Sequence, residues 1–68
     1  MVFMKVTING ESREVTSLTV LELLEELGLQ PARTVVERNA AIVQRDLYGD
    51  TLLGEGDVLE LVRIVGGG

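Results

Sequence analysis

From Val58 to Val65 the chain reads Val-Leu-Glu-Leu-Val-Arg-Ile-Val, and as an extended strand it is apolar on both sides. Leu59, Leu61 and Val65 fall on one face, Val58, Val62 and Ile64 on the other. Such a strand belongs in the interior of a sheet, where neighbours cover both edges. In a chain of 68 residues this restricts the fold sharply, because the last strand must insert beside elements formed at the start.

The first of those elements is a hairpin. Val2, Met4, Val6 and Ile8 alternate with polar residues, the period of a strand with one buried face. Asn9-Gly10 follows, the pair best suited to a type I′ turn, in which both central residues need positive φ. A two-residue loop then pairs Ile8 with Glu11, Thr7 with Ser12, Lys5 with Glu14 and Met4 with Val15. Lys5 opposite Glu14 is a favourable solvent-side pair. The same register sets Arg13 beside Val6 on the apolar face, which requires an edge strand or a bulge so that the guanidinium reaches water.

Thr19 to Leu27 is an amphipathic helix. Thr19 and Glu22 have capping-box spacing, and Leu18 with Leu23 has the spacing of a hydrophobic staple. Val20, Leu23, Leu24 and Leu27 form one stripe, with Glu22, Glu25 and Glu26 on the wet side. Gly28 suits the left-handed residue that ends a helix, and Pro31 prevents its resumption. Thr34–Arg38 reads as a third strand, 41–43 as a short fourth, and 45–49 as a helical turn or loop. Leu52 and Leu53 are expected to anchor the connection to the core, and Gly54-Glu55-Gly56-Asp57 to turn tightly into the last strand. The order predicts an α+β roll: a mixed sheet of four to five strands with one main helix packed across one face.

Composition removes several functions. There is no His to act as general base and no Cys for thiolate metal sites, nucleophilic catalysis or disulfides; the missing Cys is compatible with a reducing cytoplasm. One Phe, one Tyr and no Trp imply an aliphatic core. A net charge of −5 disfavours nucleic acid, whose phosphates need Lys and Arg, and suits a partner with a basic docking face. No apolar run approaches the ~20 residues of a membrane span, and no leader pattern is visible. Gly54-Glu55-Gly56-Asp57 lacks the lysine and spacing of a phosphate loop. Asp46, Asp50, Glu55 and Asp57 match no calcium loop and read as solvated charges. A self-contained active site, and any metal site, is therefore not expected.

What remains is the end of the sequence. Gly66, Gly67 and Gly68 follow the last strand and can contribute nothing to a core. They form a thin tether with an α-carboxylate, extended over roughly 10 Å at ~3.3–3.6 Å per residue. Residues 1–65 are expected to form the domain and 66–68 a flexible tail. If the helix covers one face of the sheet, Val62 and Ile64 are left on the other, beside the tail, as a docking patch.

Several stretches resemble the ThiS family, the sulfur carriers of bacterial thiamin biosynthesis. They are Thr19-Val20-Leu21-Glu22-Leu23-Leu24-Glu25-Glu26-Leu27-Gly28-Leu29, Val36-Glu37-Arg38-Asn39, Ile42-Val43, Arg45 to Tyr48, Gly56-Asp57-Val58-Leu59-Glu60 and Val65-Gly66-Gly67-Gly68. The leucine-rich helix is generic, whereas the Gly-Asp strand with a terminal Gly-Gly is specific to sulfur carriers and ubiquitin relatives. Ala40 stands where these proteins usually carry glycine, which argues against a type I′ turn there, and Gln44 where proline is common. The resemblance implies a ubiquitin-like β-grasp fold and a cytoplasmic protein co-substrate rather than an enzyme. It implies that an E1-like (ThiF-like) adenylyltransferase uses ATP and Mg to activate the Gly68 carboxylate. A sulfur donor protein would then convert it to a thiocarboxylate for a thiazole synthase (ThiG-like). No cofactor is expected on the chain itself, and Val62, Ile64, Val65, Gly66 and Gly67 are the expected partner-binding residues. The alternatives are a carrier like the small subunit of molybdopterin synthase (MoaD-like), whose chains tend to be longer, a ubiquitin-like modifier joined to lysines, or a non-catalytic β-grasp interaction module.

Overall fold

The computed structural model describes residues 3–65. Five strands form one mixed sheet in the order β2-β1-β5-β3-β4: β1 (Met4–Ile8), β2 (Glu11–Val15), β3 (Thr34–Arg38), β4 (Ala41–Val43) and β5 (Val58–Arg63). The strand that is apolar on both faces does lie at the centre. It runs parallel to β1 and antiparallel to β3, and two antiparallel hairpins flank it. With helix α1 (Val20–Glu26) between the hairpins, this is the β-grasp arrangement.

The first hairpin has the expected register throughout, Met4 opposite Val15 to Ile8 opposite Glu11. Asn9 and Gly10 both have positive φ. Arg13 faces Val6 without a bulge, because β2 is an edge strand and its guanidinium is exposed. The second hairpin departs from expectation. Asn39 and Ala40 take φ of 52° and 71°, so the primed turn forms with alanine where glycine would be unstrained. A left-handed non-glycine residue costs roughly 1–2 kcal/mol. Bonds from Asn39 compensate: its N–H donates to the Val58 carbonyl (2.8 Å), its Oδ1 accepts from the Val58 N–H (2.9 Å), and its Nδ2 donates to Asp57 Oδ1 (3.1 Å).

Helix α1 is capped by Thr19, whose hydroxyl accepts from the Glu22 N–H. The return bond differs from a standard capping box: the Glu22 carboxylate accepts from Leu18 N–H at 2.8 Å rather than from Thr19. Thr19 is instead in an isolated bridge with Leu52. Leu18 is 59% exposed, so no buried staple forms with Leu23. At the other end the Leu29 N–H donates to the Leu24 carbonyl and the Gly28 N–H to that of Glu25, the paired bonds of a Schellman motif, with Gly28 at φ 74°. Pro31 starts a 3-10 turn over Pro31–Arg33 rather than merely stopping the helix. A second 3-10 turn, Arg45–Leu47, fills the expected helical turn.

Val20, Leu23 and Leu24 lie fully buried against Val6, Val15, Val36 and Leu59, each large side chain contributing about 1.5–3 kcal/mol. Tyr48 makes the core less purely aliphatic than composition suggested: its ring is buried and its hydroxyl donates to the Thr34 carbonyl at 2.6 Å. Leu53 reaches the core, but Leu52 is 67% exposed, because consecutive extended residues point to opposite sides. No described helix is long and apolar enough to cross a membrane.

Replacing Ala40 with glycine relieves the left-handed strain without losing a buried side chain, since residue 40 is exposed. Ala40→Gly is expected to raise urea-unfolding stability by about 1 kcal/mol. A loss would mean that the methyl group makes contacts that outweigh the strain.

Candidate functional site

The region to be built is the exit of β5. Its pairing with β3 runs from Arg38 opposite Leu59 to Thr34 opposite Arg63. One further bond, the Ile64 N–H to the Arg33 carbonyl at 2.8 Å, carries it past the end of the strand. Val65 then stands 78% exposed. It does not join Leu59 and Leu61 in the core, because β5 ends at Arg63 and the chain leaves the sheet before Val65 can turn inward. Gly66, Gly67 and Gly68, expected to form the reactive tether, lie outside the described residues.

The sheet has two unlike faces. Leu59 and Leu61 point towards α1 and are buried, whereas Val58 (48%), Val62 (58%) and Ile64 (47%) are exposed. The docking patch expected at Val62 and Ile64 is therefore open. Val62 sits opposite the half-buried Val35, and Ile42 on β4, 63% exposed, lies opposite Glu37. Val35, Val58 and Ile42 enlarge the patch. The alternation of β3 and β5 had already put Val58 on this face; Ile42 depended on the register of β4 against β3.

One contact on this face is unfavourable. Glu37 and Glu60 are direct partners in the β3–β5 ladder, and like charges placed opposite one another destabilise a sheet. Among the described residues neither has a cation within salt-bridge distance; the ion pair found there is Arg38–Asp57. The open face is thus an apolar surface with an unneutralised pair of carboxylates at its middle.

The turn before β5 holds the strand in place. Asp57, read from sequence as a solvated loop charge, is 7% exposed. Its Oδ2 accepts from Arg38 Nε and from the Gly54 N–H, both at 2.8 Å, and its Oδ1 from Asn39. Burial raises the Asp57 pKa, but the bonds from Arg38, Gly54 and Asn39, with the Arg38 charge, outweigh it and leave the carboxyl below its ordinary value. Gly54–Asp57 is accordingly a structural turn with its carboxylate facing inward, the wrong polarity for a phosphate. Asp46, Asp50 and Glu55 are exposed, and the described residues gather no group of three His, Cys, Asp or Glu that could hold a metal ion. On the opposite edge of β5, Asn9 repeats the device of Asn39. Its N–H donates to the Leu59 carbonyl, its Oδ1 accepts from the Leu61 N–H at 2.8 Å and its Nδ2 donates to the Leu61 carbonyl at 3.2 Å. The side-chain amide takes the place of the peptide group that β1 no longer supplies after turning away.

Comparison with known proteins gives a consistent result. The family model described as "ThiS family" matches residues 6–68. A thiazole synthase of Paramagnetospirillum magneticum is 46% identical over 66 residues, 96% of this chain and 20% of that protein. The chain thus spans about a fifth of the length of such relatives. The sulfur carrier protein ThiS of Bacillus subtilis is 38% identical over 50 residues, 74% of this chain and 76% of that one. The crystal structure of a thiamine biosynthesis protein (ThiS) from Geobacter metallireducens superimposes with a TM-score of 0.81 at 33% identity, covering 96% of this chain and all of that one.

Asp57→Asn keeps the shape but removes the charge that Arg38 and Gly54 engage, and is expected to cost about 1–3 kcal/mol at neutral pH. Because the folded-state pKa is lowered, the stabilisation is present above the unfolded value, near 3.9, and is lost as pH falls through the folded one. Urea unfolding of both proteins should show the gap narrowing below pH 4 or so; a constant gap would assign the loss to packing.

Proposed function

The chain belongs to the ThiS family, and we propose that it acts as a sulfur carrier of thiamin biosynthesis, a protein co-substrate that presents its C-terminal carboxylate to other enzymes. The observation that carries this reading is the geometry of β5: a strand held by β1 and Asn9 as far as Leu61 and by β3 and Arg33 as far as Ile64, followed by an exposed Val65 and three glycines.

A carboxylate is a poor electrophile because its charge is delocalised. Transfer of an adenylyl group from ATP by an E1-like adenylyltransferase, with magnesium, gives Gly68 a leaving group. The terminal sulfur of a donor protein's persulfide then displaces AMP to give an acyl disulfide, and a thiol cleaves its S–S bond, itself ending in a disulfide, to leave a thiocarboxylate whose sulfur is nucleophilic. A thiazole synthase is the acceptor in this scheme. Similarity to thiazole synthases, which carry a related stretch within one longer polypeptide, supports that choice over a pterin pathway.

The chain's own contribution is access and docking. Glycines 66–68 put no β-carbon in the way of an attacking or adenylating group. Ordering them in a partner's channel costs about 3–6 kcal/mol at ~1–2 per residue, so affinity has to come from the body. Val58, Val62, Ile64 and Ile42 supply apolar area, and Glu37 with Glu60 suits a partner's cation, which would relieve their repulsion.

With ATP, magnesium, the adenylating enzyme and a sulfur donor, the intact protein should gain the mass difference between sulfur and oxygen at its C-terminus. Deleting Gly68 should abolish the gain and leave the thermal midpoint unchanged; a carrier unmodified under conditions that modify a known one sinks the proposal. Glu60→Gln should raise folding stability by a few tenths of a kcal/mol and yet weaken binding to the adenylating enzyme. Equal or tighter binding would remove the carboxylate pair from the interface.

A further inference from the structure

Three of the six cationic side chains, Arg13, Arg33 and Arg63, border one trough on the helix side of the sheet, where α1 ends. Its larger part, about 410 Å³, has Ile8, Leu27, Leu29 and Leu61 along it, with Arg13 contributed by the edge strand and Arg63 by the end of β5. A smaller hollow of about 180 Å³ shares Leu29 and Arg63 and extends to Arg33. The two hollows adjoin at Leu29 and Arg63, with aliphatic side chains between guanidinium groups.

The charge is not used within the described residues. The Arg38–Asp57 pair is the ion pair found among them, and none of these three arginines has a carboxylate within 4.0 Å there. Glu26 is the one carboxylate on the trough and already accepts a hydrogen bond from Ser17. Against three guanidiniums stand Glu26, already engaged, and Glu11, on the same face of β2 as Arg13, so the surface keeps an excess of positive charge on a chain of net charge −5. Charge of this sign attracts an anion, and the aliphatic residues between the arginines favour an anion with an apolar body.

We propose that this trough binds a peptide segment of a partner protein in which carboxylates alternate with aliphatic side chains. Two adjoining hollows with three cations spread along them suit a stretch of chain better than a compact ligand. It lies on the opposite side of the sheet from the Val62 patch but at the same end, where β5 leaves the fold. In the carrier reading, on which only the identity of the partner rests, one enzyme can hold the open face while an acidic segment of another occupies the helix side. Successive partners would then not compete for one surface.

The test is a titration of the isotope-labelled full chain with a capped peptide alternating aspartate and leucine, followed by amide chemical shifts. Saturable shifts should centre on Arg13, Leu27, Leu29, Leu61 and Arg63, and should weaken with added salt. Arg13→Glu with Arg63→Glu should weaken binding by at least about tenfold. Both side chains are exposed, and thermal midpoints of this variant and of Arg13→Gln with Arg63→Gln check that folding is intact. The glutamine pair should weaken binding less than the glutamate pair. Shifts confined to the open face, no saturable shifts, or undiminished affinity in the glutamate variant would overturn the proposal. A Gly68 deletion should bind the peptide normally, so failure of carboxylate activation and failure of this site are separate results.

Discussion

The sheet exists because β5 joins two hairpins that do not otherwise pair. β1–β2 and β3–β4 share no ladder with each other; each meets the other only through the strand between them. That strand is the last to appear in the chain, and its partners in β1 are about fifty residues away. Its pairing is therefore non-local, and the loop-closure entropy has to be met before the contacts form. Two asparagines help to hold it. Asn9 and Asn39 each occupy the first position of a primed turn, and each uses its side-chain amide on the backbone of β5. Asp57 completes the hold by tying Arg38, Asn39 and Gly54 together where β5 begins.

This arrangement fixes β5 from its first residue to the edge of the described chain. Bonds to β3 and then to Arg33 hold β5 on one side as far as Ile64, and β1 with Asn9 holds the other as far as Leu61, so the end of the strand has a defined position and direction. The two faces of the same strand then differ completely in environment. Leu59 and Leu61 are buried beneath the helix, while Val58 and Val62 remain in water. A strand that is apolar on both faces, in a domain with only one covering layer, necessarily exposes one of them. An open apolar surface at the end of β5 is thus a consequence of the same residues that make β5 central.

Two features work against stability. Ala40 holds a left-handed conformation, and Glu37 faces Glu60. A domain of this size has a modest core, so about 1–2 kcal/mol for the first and a few tenths for the second are a meaningful share of the total. The first is offset locally, by the three bonds that Asn39 makes. The second has no compensating cation among the described residues.

The order and type of the elements could be read from the residues themselves. Alternation in 4–8, the Asn9-Gly10 turn and the cap at Thr19 are local signals, each depending on neighbours within a few positions, and the register of the first hairpin followed from them. The same locality explains what could not be read. Leu52 and Leu53 are equivalent by composition, and only the bridge to Thr19 decides that Leu53 turns inward. Asp57 looks like any loop carboxylate until Arg38 and Asn39, eighteen or nineteen residues earlier, are brought to it. Alanine at position 40 argues against a primed turn unless bonds to the distant β5 are known. Sequence alone determined that the last strand is central and that three glycines follow it, because hydrophobic pattern and side-chain absence are properties of the residues. Tertiary structure alone decided how far the open face extends across β4, where its charges lie unpaired and how the ends of the strand are fixed, because these depend on groups that approach only when the chain has folded.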